Sequence, residues 1–165
     1  MRKAEEDRIE APLRLYETEV SPAWVDYNGH MSEAFYALVF GYATDALLDF
    51  IGMDASYRER TKTSVYTLES HITYLREAKE GEHLSVTTQL LDMDHKRLRV
   101  FHTMRHAGRG ELLATGEALL MCVDMSGPRS APFAPEILAR IESVRERHAD
   151  LPAPDQAGRS IGIRR

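Results

Sequence analysis

The sequence predicts an α+β fold in which a five-stranded antiparallel sheet wraps around one long central helix, with a further helix at the C-terminal end. Three observations carry that reading. The segment 32–52 is apolar on nearly every helical face, so it demands cover on nearly every side. One strand-like segment precedes it, and four more with alternating apolar and polar residues come after it. Those four follow one another through short turns, the order expected of an antiparallel meander.

The first strand carries Leu13, Leu15 and Val20 between polar residues and closes at the Ser21-Pro22 turn signal. A loop, AWVDYNGHM, leads to Ser32, a plausible N-cap for the helical run EAFYALVFGYATDALLDFI, which Gly52 ends. About twenty residues give a helix of about 30 Å. Phe35, Leu38, Val39, Tyr42, Ala46 and Phe50 lie at helical spacing, while Tyr36, Phe40, Ala43 and Leu47 fill its other faces. SYRERTK reads as a short polar turn. Strands are predicted over Val65–Leu75, Leu84–Leu91, Leu98–Met104 and Leu112–Val123, separated by turn signals such as DMDHK and AGRGE. The proline-bounded run PEILARIESVRERH forms the last helix.

Only the central helix has enough apolar surface to fill the concave side of such a sheet. That arrangement is the hotdog fold. A flat α+β sandwich with the helix on one face would leave half of the helix's apolar surface wet, and ranks lower. One domain is expected over 11–149, between a flexible N-terminus (1–10) and a disordered, Pro- and Gly-containing tail (150–165).

Composition narrows the function classes. The 165 residues are 43% hydrophobic and 28% charged, a globular balance with a core that needs no staples. A net charge of −5 and a pI near 5.8 argue against nucleic acid or anionic membrane as partner. The charged opening decapeptide has no apolar signal core, and Ala34–Ala43 is too short to span a bilayer, so a cytoplasmic location is expected. The single cysteine, Cys122, allows no internal disulfide and reads as a small buried hydrophobe. His102 and His106 form an H-x-x-x-H pair on a strand, where four residues span about 13 Å, so no metal site is predicted. No G-x-S-x-G is present.

The densest polar and aromatic cluster is Trp24-Val25-Asp26-Tyr27-Asn28-Gly29-His30-Met31-Ser32, at the entrance to the buried helix. Amides at a helix start carry partial positive charge, and Gly29 lets a ligand approach them. Such donors suit a carbonyl oxygen that turns negative during acyl transfer. Asp26 lies just before them, where a carboxylate attacks or activates water, and His30 enters the first turn to orient loop or water. On spacing alone Asp26 and Asn28 read sooner as capping and turn residues than as chemistry.

The loop resembles the active-site loop of the 4-hydroxybenzoyl-CoA thioesterase family, roughly D-x-D-x-x-G-H-x-N, with Asp26, Gly29 and His30 at matching spacing. Trp24 stands in place of the first aspartate and Ser32 in place of the asparagine. The resemblance covers Leu13–Val123. It implies a hotdog fold, acyl-CoA hydrolysis with Asp26 as nucleophile or general base, and polarisation of the thioester by amides around Gly29 and His30. It implies no cofactor beyond the coenzyme A of the substrate. Longer runs, WVDYNGHM, ATDALLDFIG, SVYTLESHITYLREAKEGE and HKRLRVFH, are similar to the betainyl-CoA thioesterase branch, found alone or fused to carnitine dehydrogenase. The dehydrogenase half has no counterpart here, since there is no G-x-G-x-x-G.

A betaine thioester ends in a permanent cation, which favours aromatic walls. Trp24, Tyr27, Tyr36 and Tyr66 are the candidates, with Asn28 positioning the loop. Thr67, Glu69, His71 and Thr73 share one predicted strand face, and Glu69 or His71 is expected to complete a partner's site in a homodimer or tetramer. Glu33, Asp45 and Asp49 are competing carboxylates, and Arg97, Arg99 and Arg105 are candidates for coenzyme A phosphates. A non-catalytic acyl-CoA-binding protein, a hotdog dehydratase and a thioesterase for another acyl group are the competing readings.

Overall fold

The computed structural model describes residues 9–163 and 165. Most of the expected flexible N-terminus, residues 1–8, lies outside them. Along the chain run β1 (Leu13–Glu19), α1 (Glu33–Phe50), α2 (Ala55–Thr61), β2 (Thr63–Tyr74), β3 (His83–Met93), β4 (Arg97–His106), β5 (Leu112–Asp124), a two-residue β6 (Arg129–Ser130) and α3 (Pro135–His148). The long strands make one antiparallel sheet in the order β1-β3-β4-β5-β2, with β6 beside β5. The α+β architecture, the central helix and the C-terminal helix agree with the sequence reading.

Four expectations need correction. The four later strands are not a simple meander. β3, β4 and β5 follow one another, but β2 pairs with β5 at the far edge. β1 already occupies the free edge of β3, so the segment 75–82 must carry the chain back across the sheet. Tyr36 of α1 pins that crossing: its hydroxyl donates to Arg76 O (3.3 Å) and accepts from Ala78 N (3.1 Å).

SYRERTK is a helix rather than a turn. The Asp54 carboxylate caps it by accepting from Tyr57 N at 2.8 Å, and Lys62 ends it in the left-handed region at φ 55°. Only Tyr57 is buried, so no apolar period announced it.

The central helix is covered on one side only. Tyr36, Val39, Phe40, Ala43, Leu47 and Leu48 are buried, while Leu38 and Tyr42 remain 37% and 42% exposed. The pattern records which side chains avoid water; the sheet of one chain satisfies half of that demand.

The fourth correction concerns β2. Its register shifts between Thr67 and Glu69, leaving Leu68 as an extra residue. Thr67 pairs with buried Leu120, whereas Glu69 pairs with Leu119 and His71 with Glu117 on the outer side. Thr67 therefore does not share a face with Glu69 and His71.

The core has two parts. One gathers Leu47, Ile51, Leu98, Leu120, Cys122 and the α3 residues Ile137, Ile141 and Val144. The other gathers Tyr36, Val39, Phe40, Val86 and Met104. Where α1 crosses β5, Gly116 makes room for Phe40, and a Cβ there would sit 2.8 Å from the ring. Phe40 is itself buried and stacked on His102 at 5.8 Å, so it has little room to yield. Gly116→Ala is expected to cost about 1–3 kcal/mol, lowering the melting temperature by about 2–4 °C per kcal/mol. An unchanged thermal melt would show that the ring moves aside freely.

Past α3 the described residues form no helix or strand, but they touch the outer face of the sheet. Gln89 Nε2 donates to Pro152 O at 3.3 Å and Gly158 N to Glu117 Oε2 at 2.7 Å. This is the stretch expected to be disordered. Among the described residues no single helix is long and apolar enough to cross a membrane.

Candidate active site

The loop ahead of α1 is a small hairpin. A 3-10 turn at Pro22–Trp24, capped by the Ser21 side chain, delivers the chain into it. Val25 and Met31 form an antiparallel bridge, with Asp26 N donating to His30 O (3.0 Å) and Ser32 N to Trp24 O (2.9 Å). Gly29 closes the tip: its amide donates to Asp26 O at 3.0 Å, and its φ of 78° is one an L side chain strains to adopt. Met31 N donates to Ala78 O at 2.7 Å, tying the hairpin to the crossing segment. The hairpin is thus tied both across its own strands and to the crossing segment.

Asp26 fills the turn-forming role that its spacing allowed and keeps one carboxylate oxygen open. Its Oδ1 accepts from Asn28 N at 2.8 Å, an ordinary turn-forming bond. Oδ2 has no partner among the described residues, and the residue is only half-buried. One oxygen is tethered and the other is free for chemistry.

The amides divide similarly. Gly29 N is spent on the turn, which corrects the expectation that it would polarise the substrate. His30 N has no partner among the described residues. Ser32 takes the N-cap position, but its side chain makes no capping bond; Phe35 N donates to Ser32 O at 3.0 Å, while the amides of Glu33 and Ala34 have no partner among the described residues. The amides left open at this end of the loop are therefore those of His30, Glu33 and Ala34, a donor set of the kind that suits a developing oxyanion.

His30 Nε2 lies 3.1 Å from Glu77 Oε2, a carboxylate that the sequence reading did not single out. Beside that pair is a hollow of about 330 Å³ lined by Met31, Glu33, Tyr36, Tyr74, Arg76 and Glu77, together with Leu75. Tyr36 and Tyr74 meet edge to face at 5.3 Å and 89°, and Tyr74 OH donates to Glu33 O at 3.4 Å. Burial pushes the Tyr36 phenol above its ordinary value, which keeps it neutral. Trp24 stacks on Phe35 at 5.7 Å, and Tyr27 is 97% exposed. Tyr74 and Glu77 were missed because only the crossing of β2 brings its far end to the helix start.

Other candidates lie elsewhere in this chain. Tyr66 pairs with Met121 on the outer side, eight residues, or about 26 Å of strand, from Tyr74. Glu69 and His71 line a separate outer groove of about 540 Å³ with Arg99, Glu117 and the 158–161 backbone. Asp45 and Asp49 are exposed, and Asp49 Oδ1 is 3.9 Å from Arg58. Arg97 and Arg99 are committed to Asp94 and Glu117, each at 2.6 Å. His106 Nδ1 accepts from Gly108 N and Arg109 N, while His102 is held by Thr44 and Thr88 inside the core. The described residues contain no group of three His, Cys, Asp or Glu placed to hold a metal ion. Burial pushes the Cys122 thiol up to about 11, so it is no nucleophile.

A tethered carboxylate with one free oxygen, beside unpaired amides and a half-aromatic hollow, suits acyl transfer. Comparison with known proteins agrees. Residues 20–141 match the model of the thioesterase-like superfamily. Over 151 residues the chain is 51% identical to the betainyl-CoA thioesterase of Pseudomonas aeruginosa, covering 92% of this chain and 95% of that one. It is 46% identical over 154 residues to an L-carnitine dehydrogenase/betainyl-CoA thioesterase of Rhizobium meliloti, covering 93% of this chain and 31% of that longer protein. A solved structure from Pseudomonas putida KT2440, provisionally assigned as a thioesterase, superposes with a TM-score of 0.82 at 43% identity, covering 94% of this chain and 99% of that one. A hypothetical protein of Staphylococcus aureus solved in complex with CoA gives 0.86 at 27% identity, covering 96% and 100%.

Proposed function

The chain belongs to the thioesterase-like superfamily, and we propose that it hydrolyses betainyl-CoA to betaine and free coenzyme A, a step of carnitine degradation. The observation that carries this is the 51% identity to the Pseudomonas aeruginosa betainyl-CoA thioesterase across 95% of that protein. The geometry of the loop supports the same chemistry.

Water supplies the oxygen that joins the acyl carbon, the carbon–sulfur bond breaks, and the thiolate leaves with a proton. Asp26 serves through its free Oδ2, either taking the proton from water or attacking the carbonyl itself. The unpaired amides of His30 and of the α1 start receive the charge that gathers on the carbonyl oxygen. Asn28, through its amide, and Glu77, through His30, hold the hairpin in shape. The reaction needs no cofactor beyond the substrate's own coenzyme A.

The hollow next to the loop fits the trimethylammonium head. Tyr74 offers a half-exposed ring, and Glu33 and Glu77 set two carboxylates against the single Arg76. The open apolar side of α1, with Leu38 and Tyr42, and the exposed edge strand β2 favour a homodimer or tetramer.

The decisive measurement compares betainyl-CoA with 3,3-dimethylbutanoyl-CoA, its neutral isostere. The cation is expected to raise kcat/KM by about 2- to 30-fold, the range of about 0.5–2 kcal/mol for one well-placed ring. Tyr74→Leu is expected to shrink that preference while sparing the neutral ester. Equal rates for both esters in the native protein would leave a general acyl-CoA thioesterase.

A further inference from the structure

We propose that the groove on the outer face of β1, β3 and β4, capped by the end of α3, binds a ligand carrying clustered phosphate groups. Arg14 pairs with Thr87, Thr87 with Thr103, and Ser85 with Arg105, so all five side chains stand on one face of the sheet. Arg147 reaches in from α3, its Nε donating to Ile9 O at 3.1 Å. The hollow between them holds about 1050 Å³, with residues 9–12 as its rim. It is not part of the site around Asp26, whose hairpin and hollow share no residue with it.

Its charge is the telling feature. Arg58, Arg97, Arg99, Arg109 and Arg129 each meet a carboxylate, as expected in a chain of net charge −5. Arg14, Arg105 and Arg147 meet none among the described residues, as is also true of Arg60, Arg76, Arg140, Arg145 and Arg159, but these three are set apart by converging on one hollow. Arg105 spends one NH group on Gly110 O at 3.0 Å and keeps the rest of its fork. The nearby carboxylates, Glu10 on the rim and Glu17 opposite Ser85, form no ion pair with the three arginines. Three planar guanidiniums around three hydroxyls make a set of donors that matches phosphate oxygens, each fork able to bind two at once. Like charges crowded in a concave surface also focus a positive potential that draws a polyanion in.

Two sources have this chemistry: the nucleotide end of coenzyme A, with its diphosphate and 3′-phosphate, and inorganic diphosphate. Only the first rests on the thioesterase reading. The test is calorimetric titration of the full chain with inorganic diphosphate and with adenosine 3′,5′-bisphosphate, at about physiological ionic strength. Arg14→Gln/Arg105→Gln is expected to weaken binding at least 10-fold with an unchanged melting temperature. Tighter binding of the nucleotide, with a raised KM and unchanged kcat for betainyl-CoA in the double variant, assigns the groove to the coenzyme. Tighter binding of diphosphate, with KM unmoved, assigns it to a separate anion. Failure of both ligands to bind, or equal binding by native and variant chains, overturns the proposal. Because the readout is binding, a chain that hydrolysed no thioester would still answer it.

Discussion

Asp26→Asn is expected to lower kcat for acyl-CoA hydrolysis by about 10²- to 10⁴-fold, the range of a lost general base or nucleophile, without disturbing the fold. The structure makes this variant unusually clean. Oδ1 accepts from Asn28 N, and an asparagine side chain keeps a carbonyl oxygen for that bond. The hairpin bonds of Asp26 N, Gly29 N and Ser32 N run between backbone atoms and are untouched. What disappears is the negative charge and the basic lone pair on the free oxygen. KM is therefore expected to stay within a few-fold, and the thermal melt to coincide with that of the native chain. Asp26→Ala removes the turn bond too and is expected to lose stability as well as turnover. The difference between the two variants separates the chemical role from the structural one. Full activity in Asp26→Asn would move the chemistry to another carboxylate, with Glu33, at the first turn of α1 and on the wall of the same hollow, the first to test.

The loop was legible in the sequence because its parts are local. A carboxylate, a glycine and a histidine within one five-residue stretch just ahead of a helix start stay together however the rest of the chain folds. α1 was legible too, since eighteen helical residues end at Ile51 and Gly52 where the apolar period stops. What was illegible depends on pairing at a distance. The extra residue at Leu68 inverts the face of everything before it, and alternation alone cannot count a bulge. Tyr74 joins the site only because β2 runs on the far edge and returns to the start of α1. The second carboxylate, Glu77, lies in a crossing segment with no regular element to announce it. Apolar residues on the outer side of α1 predicted cover without naming what supplies it.

Stability is expected to fall on acidification between about pH 6.5 and pH 4 for a reason seated in His102. The ring is completely buried, with Nε2 2.9 Å from Thr44 Oγ1 and Nδ1 2.9 Å from Thr88 Oγ1. Thr44 donates its own proton to Phe40 O at 3.0 Å, so toward His102 it accepts, and Nε2 carries the hydrogen. Nδ1 is then the acceptor and Thr88 the donor. This arrangement needs a neutral imidazole: a second ring proton would face a hydroxyl already pointing at it. Burial accordingly pushes His102 down to about 4 from the ordinary 6.5. A base with a lowered folded value is protonated more readily when unfolded. Its contribution is therefore complete above about pH 6.5 and drains away as pH falls toward 4. Denaturant unfolding at pH 4.5 and pH 7 is expected to differ by about 2–3 kcal/mol on this account, since each tenfold change in proton affinity is worth about 1.4 kcal/mol. His148, pushed down by its own burial, acts in the same direction, so the comparison must be made within a pair of proteins. His102→Gln keeps an amide that can bridge the two threonines but does not titrate, and His148 is common to both chains. The variant is expected to be less stable at pH 7, having lost the stack on Phe40, yet to lose less on acidification. Parallel pH curves for the two proteins would mean that His102 titrates alike in the folded and unfolded chain, and the tautomer inferred from Thr44 would fall with it.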